Sequence, residues 1–283
     1  MSPLEPHPSS DWLASASVPV VPPAVGFLLS TVDDPRRNIK SVAADVERFP
    51  SIAARLLAVA NSAWSSPLSA VTRLPDACAR LGLNLVRALS VALAVANTFD
   101  PSKCRGFDSE RYWVSALLAA EGATLLANGM GQIDAALTWR SVALFHNMGL
   151  LWLADHRPQA TAAALARDTE EGVVSTMQDM MGTDFCHAGA LLVRAWGLPE
   201  VYPSVIAYQR DPDSAGRHFL AAATVGVAAD MASTICRGDA WTADRVPANV
   251  APHLGADLTQ STHQSLTAAL QDVRAMGRAI ATM

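Results

Sequence analysis

Apolar positions recur along the chain at helical spacing, and polar or breaking residues punctuate them. Val25, Leu28 and Leu29 open the pattern, and the turn DDPRRN follows, whose Asp34–Pro35 step cannot continue a helix. Ile39, Val42, Val46 and Phe49 then mark one helical face, and after Pro50 a second is marked by Ile52, Leu56, Val59 and Ala63. SSPLSAVTRLP is a connector, followed by a short helix carrying Ala77, Cys78 and Leu81. LGLNLVRALSVALAVANTF is apolar nearly all round, which predicts a central helix. DPSKCRGFDSE, around residues 100–110, concentrates Pro, Gly and charge and reads as a boundary between two lobes.

The second half repeats the theme. YWVSALLAAEGATLLANGM predicts a helix ending near Gly129, and DAALTWRSVALFHNMGLLWLADH reads as one further helix. Helices follow around RPQATAAALARDTEEG, VSTMQDMMG, DFCHAGALLVRAWGLP and Tyr202–Gln209. HFLAAATVGVAADMASTICRG predicts a long buried helix. Leu266, Ala269, Leu270, Val273, Met276 and Ile280 predict an amphipathic last one. No alternating run demands a sheet, so the fold class is all-α with two helical lobes. Residues 1–17, rich in Pro and Ser, read as a loose tail. Residues 238–283 read as a loop plus the C-terminal helix.

Composition adds limits. The 283 residues are 51% hydrophobic and only 6% aromatic, a balance that favours close-packed helices. A net charge of −5 gives no global reason to expect nucleic acid or an anionic membrane as partner. Cys78, Cys104, Cys186 and Cys236 are widely spaced, which fits reduced thiols in a cytoplasm better than a zinc ribbon or a disulfide scaffold. The apolar runs ALSVALAVA and FLAAATVGVAA fall short of the roughly 20 residues a bilayer demands. Trp12 and Trp241 fall in tails or loops, where an indole either anchors a partner or packs on its own domain.

Several segments together carry a family resemblance: IAARLLAVANSAW (Ile52–Trp64), VTRLPDACARLGLNLVRAL (Val71–Leu89), LFHNMGLLWL (Leu144–Leu153) and CHAGALLVRAWGLPEVYPSVIAYQ (Cys186–Gln209). These resemble the HDOD family, signalling relatives of the HD and HD-GYP metal-dependent phosphohydrolases. The resemblance spans Val18 to Arg237. It implies an N-terminal helical lobe over about 18–100 packed on an HD-like lobe over about 107–237.

An HD hydrolase holds its metal with ordered histidines, a His–Asp pair and a late aspartate, and the metal lowers the pKa of bound water to make a nucleophile. Against that pattern, the resemblance puts Val114 at the early histidine and His146–Asn147 at the His–Asp pair. His187 keeps a histidine, Gln209 replaces one, and Asp230 matches the late aspartate. His146, His187 and Asp230 are therefore the weak metal candidates, with a single divalent ion as the alternative to no cofactor. The alternative for His146 is a buried, hydrogen-bonded histidine.

The resemblance implies a non-catalytic bacterial signal-transduction module, acting through contacts with other signalling proteins. The alternatives are a divergent metal-dependent phosphohydrolase acting on a nucleotide or cyclic dinucleotide, and a nucleotide sensor that does not hydrolyse. Arg73, Arg80 and Arg87, spaced by seven, are candidates for a basic face that holds such a ligand, or for a solvated helix surface. Cys186–His187 is a poor nucleophile–base pair, since neighbours on a helix point apart. RDTEEG (Arg167–Gly172) reads as a solvated helix end, and Met177, Met180 and Met181 as core or a plastic surface.

Overall fold

The breaks anticipated from Pro, Gly and capping residues set most of the helix ends. The computed structural model describes residues 18–19, 27–28, 38–62 and 70–281. The expectations for Trp12, the 1–17 tail, Val25, Leu29, most of the DDPRRN turn and most of the SSPLSA connector fall outside those residues. Asn38 accepts a hydrogen bond from the Ser41 amide at 3.0 Å and so caps α1 (Ile39–Glu47). Pro50 begins α2 (Pro50–Ala60), where its missing N–H would have had no partner. Gly82, at φ +80°, closes α3 (Leu74–Leu81) and turns the chain through 112° into α4 (Leu83–Ala96). A side chain rarely tolerates that backbone conformation, so the turn belongs to glycine.

Asp108 caps α5 (Ser109–Gly129), its Oδ1 accepting from the Arg111 amide at 2.9 Å. This helix is buried along most of its length. It packs on α6 (Ile133–Leu144) and on two later helices, α12 (Phe219–Arg237) and α14 (Ala256–Ala281). Between them run α7 (Gly149–His156), α8 (Pro158–Leu165), α9 (Glu170–Met181), α10 (Phe185–Ala195) and α11 (Val201–Tyr208). The short α13 (Ala251–Leu254) precedes α14. Among the described residues there is no strand, and the buried apolar side chains form one continuous cluster from Leu28 to Ile280. The core therefore passes through the 100–110 segment without interruption.

Two expectations are corrected, and others are decided. The helix anticipated over residues 134–156 is two, α6 and α7, separated by turns at Phe145–Met148. The cause is close packing of α7 on α10. A Cβ at Gly149 would lie 2.1 Å from the Phe185 carbonyl oxygen and 2.4 Å from the Gly189 nitrogen. The segment around RPQATAAALARDTEEG also splits, because Thr169 caps α9 by accepting from the Gly172 amide at 3.0 Å. The long buried helix expected over HFLAAATVGVAADMASTICRG is present as α12; together with the 3-10 turn before it, kinked at Gly216, the helical stretch Pro212–Arg237 covers 26 residues at a mean hydropathy of 1.6 over its most apolar window. That is enough length to cross a bilayer, yet 67% of the window is buried inside the fold, against α5 and its neighbours. Of the two alternatives for Trp241 the structure takes packing on its own domain: it is buried and stacked on His263 with ring centroids 5.4 Å apart. Met177 and Met181 are fully buried while Met180 is half exposed, so the methionine cluster is mostly core.

Glycine-mediated contacts provide a test of this packing. At Gly226 a Cβ would lie 1.9 Å from the Gln209 carbonyl oxygen, a rigid backbone atom. At Gly129 it would meet only the tip of the Leu258 side chain, at 2.3 Å. Gly149→Ala and Gly226→Ala are each expected to destabilise by about 3 kcal/mol or more. Gly129→Ala should be within about 1 kcal/mol of neutral, because Leu258 can move and alanine is the better helix former. Urea denaturation of the three variants reads the difference.

Candidate functional site

His146 sits on the turn between α6 and α7. Its Nδ1 donates to the Ala143 carbonyl at 2.7 Å, which fixes the tautomer and leaves Nε2 as the acceptor. The residue is 5% exposed, and burial pushes its imidazole down to about 4, the bond to Ala143 opposing that shift. It is neutral at pH 7. Asn147 beside it donates through Nδ2 to the Tyr112 carbonyl at 3.4 Å, a long contact. Its Oδ1 is buried and has no hydrogen-bond partner among the described residues. An orphaned buried acceptor of this kind costs about 1–3 kcal/mol.

Gln209, at the end of α11, ties the turn down. Its Nε2 lies 2.9 Å from the His146 carbonyl oxygen, 3.1 Å from the Ile206 carbonyl and 3.3 Å from the Cys186 sulfur. Cys186 is buried, and desolvation holds its thiol well above the ordinary range. It is no nucleophile in this setting.

The remaining positions point elsewhere. His187 lies in the first turn of α10, with Nδ1 3.0 Å from Asp184 Oδ2. That hydrogen bond raises its imidazole above the usual range, against the effect of burial. Asp184 Oδ1 meanwhile caps the helix, accepting from the Cys186 and His187 amides at 2.8 and 3.0 Å. Asp230, on α12, accepts from Trp241 Nε1 at 2.8 Å and Arg245 Nε at 2.9 Å. Val114 turns its side chain to α14, where a Cβ on Gly277 would meet Val114 Cγ2 at 2.6 Å.

Two cavities of about 160 Å³ each separate these groups. His146 and Asn147 line the first, Asp230 and Gln209 the second, and His187 and Val114 neither. The α5 residues that share the cavity wall with His146 are Arg111, Tyr112 and Ser115, and the neighbouring Val114 is not among them. Among the described residues no three His, Cys, Asp or Glu side chains come together to hold an ion. The residues present do not fit a metal centre of the HD kind. One histidine is held by a backbone carbonyl, the pair lacks its carboxylate, and the late aspartate is neutralised by Arg245.

The seven-residue spacing of Arg73, Arg80 and Arg87 does not make one face. Arg73 precedes α3, Arg80 lies on α3 and Arg87 on α4, across the 112° bend at Gly82. Arg80 donates to the Ala60 carbonyl at 3.1 Å, at the end of α2, and none of the three lines either cavity. The arginines that do line the first cavity are Arg111, Arg167 and Arg237, none of them a candidate for a ligand-holding face on sequence grounds. Arg111 and Ser115 stand four apart on α5, a spacing visible in the sequence. The Arg167–Glu170 stretch, read as a solvated helix end, instead forms part of the cavity wall.

The all-helical arrangement is that of solved structures of HDOD-type proteins and candidate phosphohydrolases. It is similar to a candidate phosphohydrolase from Shewanella amazonensis SB2B, at 22% identity and a TM-score of 0.73, covering 98% of this chain and 99% of that one. It is similar also to an HDOD domain protein of unknown function from Geobacter sulfurreducens, at 20% identity and a TM-score of 0.74, covering 96% of each. A candidate signal transduction protein from Marinobacter aquaeolei VT8 matches at 24% identity and a TM-score of 0.78, over 93% of this chain and 60% of that one. No curated protein sequence matches. The sequence profile of the HDOD domain matches residues 18–212, and the chain belongs to the HDOD family. The profile stops short of the Arg237 boundary drawn from the sequence.

The burial of His146 has a pH signature. Its folded pKa of about 4 lies below the ordinary 6.5, so the unfolded chain takes up the proton first as pH falls. The contribution is complete above 6.5 and is lost as pH falls through 6.5 towards 4. It amounts to about 3 kcal/mol. Urea titrations at pH 7 and pH 4 are expected to show this loss in the wild type and a smaller one in His146→Gln.

Proposed function

We propose that this chain is a non-catalytic regulatory module of bacterial signal transduction, acting in the cytoplasm through contacts with other proteins. The observation that supports this reading most directly is the dispersal of the would-be ligands. His146, His187 and Asp230 each serve a structural bond, and they lie in three separate places. Activation of water by a metal depends on several donors meeting at one ion, and here they do not meet. Family membership and the likeness to a candidate signal transduction protein agree with a regulatory role.

The divergent phosphohydrolase is the reading to be excluded, and it requires metal. Protein purified without chelator is expected to carry less than stoichiometric iron, manganese or zinc by elemental analysis. It should not hydrolyse bis-p-nitrophenyl phosphate with added Mn²⁺ above the rate of His146→Ala. Stoichiometric metal together with turnover lost on substituting His146 or Asp230 would sink the regulatory reading.

A further inference from the structure

We propose that the cavity between α5, the His146–Asn147 turn and the end of α12 is a binding site for a small organic phosphate of mononucleotide size. This rests on the regulatory reading and gives the module an input. At about 160 Å³ the space is roughly ten times what a single water needs, so it has room for a metabolite. Its wall brings three guanidiniums together from different parts of the chain: Arg111 on α5, Arg167 before α9 and Arg237 at the end of α12.

The wall carries three acids beside its three arginines, so the case for an anion rests on which guanidinium nitrogens are left to donate and not on net charge. Arg237 is already oriented, bonded to the Ser233 hydroxyl at 2.7 Å and paired with the exposed Asp239. Arg167 donates through Nε to Thr176 at 3.0 Å, which leaves its two terminal nitrogens to face a ligand. Among the described residues neither Arg111 nor Arg167 has a carboxylate within ion-pair reach. Of the acids in the wall, Glu170 is paired with Arg210 at 2.6 Å, and Asp108 accepts the Arg111 backbone amide. Asp168 is exposed and forms no ion pair among the described residues. A phosphate, with up to two charges and several acceptor oxygens, uses two or three forked guanidiniums where a carboxylate uses one.

The rest of the wall suits an organic body. Phe107, Phe185, Leu150 and Val173 supply apolar and aromatic surface. Asn147 and His146 lie beside them with acceptors to offer: the orphaned Asn147 Oδ1 and, by its tautomer, His146 Nε2. Both call for a hydrogen-bond donor, and neither calls for a cation. A ligand with a phosphate at one end and an N–H or O–H donor on a flat body at the other meets both demands.

The test is calorimetric titration of the full chain with AMP, GMP, adenosine and inorganic phosphate, with the nucleotide analysed afterwards for cleavage. At least one mononucleotide is expected to bind intact, and adenosine, without the charge, to give no heat. Arg111→Ala and Arg167→Ala should each weaken binding by about tenfold, the scale of one charge-assisted hydrogen bond. The ligand-free melting of Arg111→Ala should be unchanged and that of Arg167→Ala lowered only by the lost bond to Thr176, and Arg73→Ala, outside the cavity, should bind as the wild type does. Absence of heat from both mononucleotides at millimolar concentration overturns the site and leaves the regulatory reading standing. So does inorganic phosphate binding as tightly as the nucleotides, or equal weakening by Arg73→Ala. Cleavage of a bound nucleotide would do the reverse, keeping the site and overturning the non-catalytic reading.

Discussion

The amide of Gln209 is the junction on which the centre of this molecule is assembled. One side-chain nitrogen reaches the His146 carbonyl, the Ile206 carbonyl and the Cys186 sulfur, and so joins the α6–α7 turn to α11 and α10. It holds that place because α12 can lie directly on the Gln209 backbone, where Gly226 offers no Cβ to obstruct it. The contact between Gly149 and Gly189 does the same for α7 and α10. Two such approaches fix the turn from both sides. A neutral amide suits this setting, since a charged group in the same buried space would need a partner to offset its desolvation. The neutral His146 beside it obeys the same constraint.

Two acids near this centre keep their charge by having it matched. Asp230 keeps its carboxylate but spans to Trp241 and Arg245, and so pins the loop after α12 to the helix. Asp184 keeps its own to cap α10 and hold His187. These bonds account for the three residues without a shared ion. The two cavities stay distinct, with Glu170 lining both.

Much of the fold was legible in the sequence because helices obey local rules. Apolar periodicity located α1, α2, α5 and α14, and Pro, Gly and Asp placed many of their ends. What failed was non-local. Nothing near Gly149 in sequence shows that it must approach α10, so α6 and α7 read as one helix. The site suffered more. Val114 stands one residue from the cavity-lining Ser115, a step that on a helix rotates a side chain by about 100°, and so it faces α14. Counting Arg73, Arg80 and Arg87 assumed a single helix that Gly82 breaks. Arg111, Arg167 and Arg237 come from three elements far apart in sequence, and only folding brings them together. His146, Asn147 and the Gln209 replacement were legible as identities, but not the bonds they make.

The segment beyond residue 212 is part of the same folding unit. The HDOD profile ends there, yet α12 supplies Ser233 and Arg237 to the first cavity and Asp230 to the second. Gly122 of α5 sits where three helices meet: its missing Cβ would lie 3.1 Å from both Ala228 of α12 and Leu266 of α14. Val114 and Gly277 make a second close contact between α5 and α14. A chain stopped at the profile's end would strip α5 of two of its main packing neighbours, and α5 is apolar nearly all round. A helix of that kind is stable only when buried on every side. The cavity wall built on α5 therefore depends on helices that the family profile does not include.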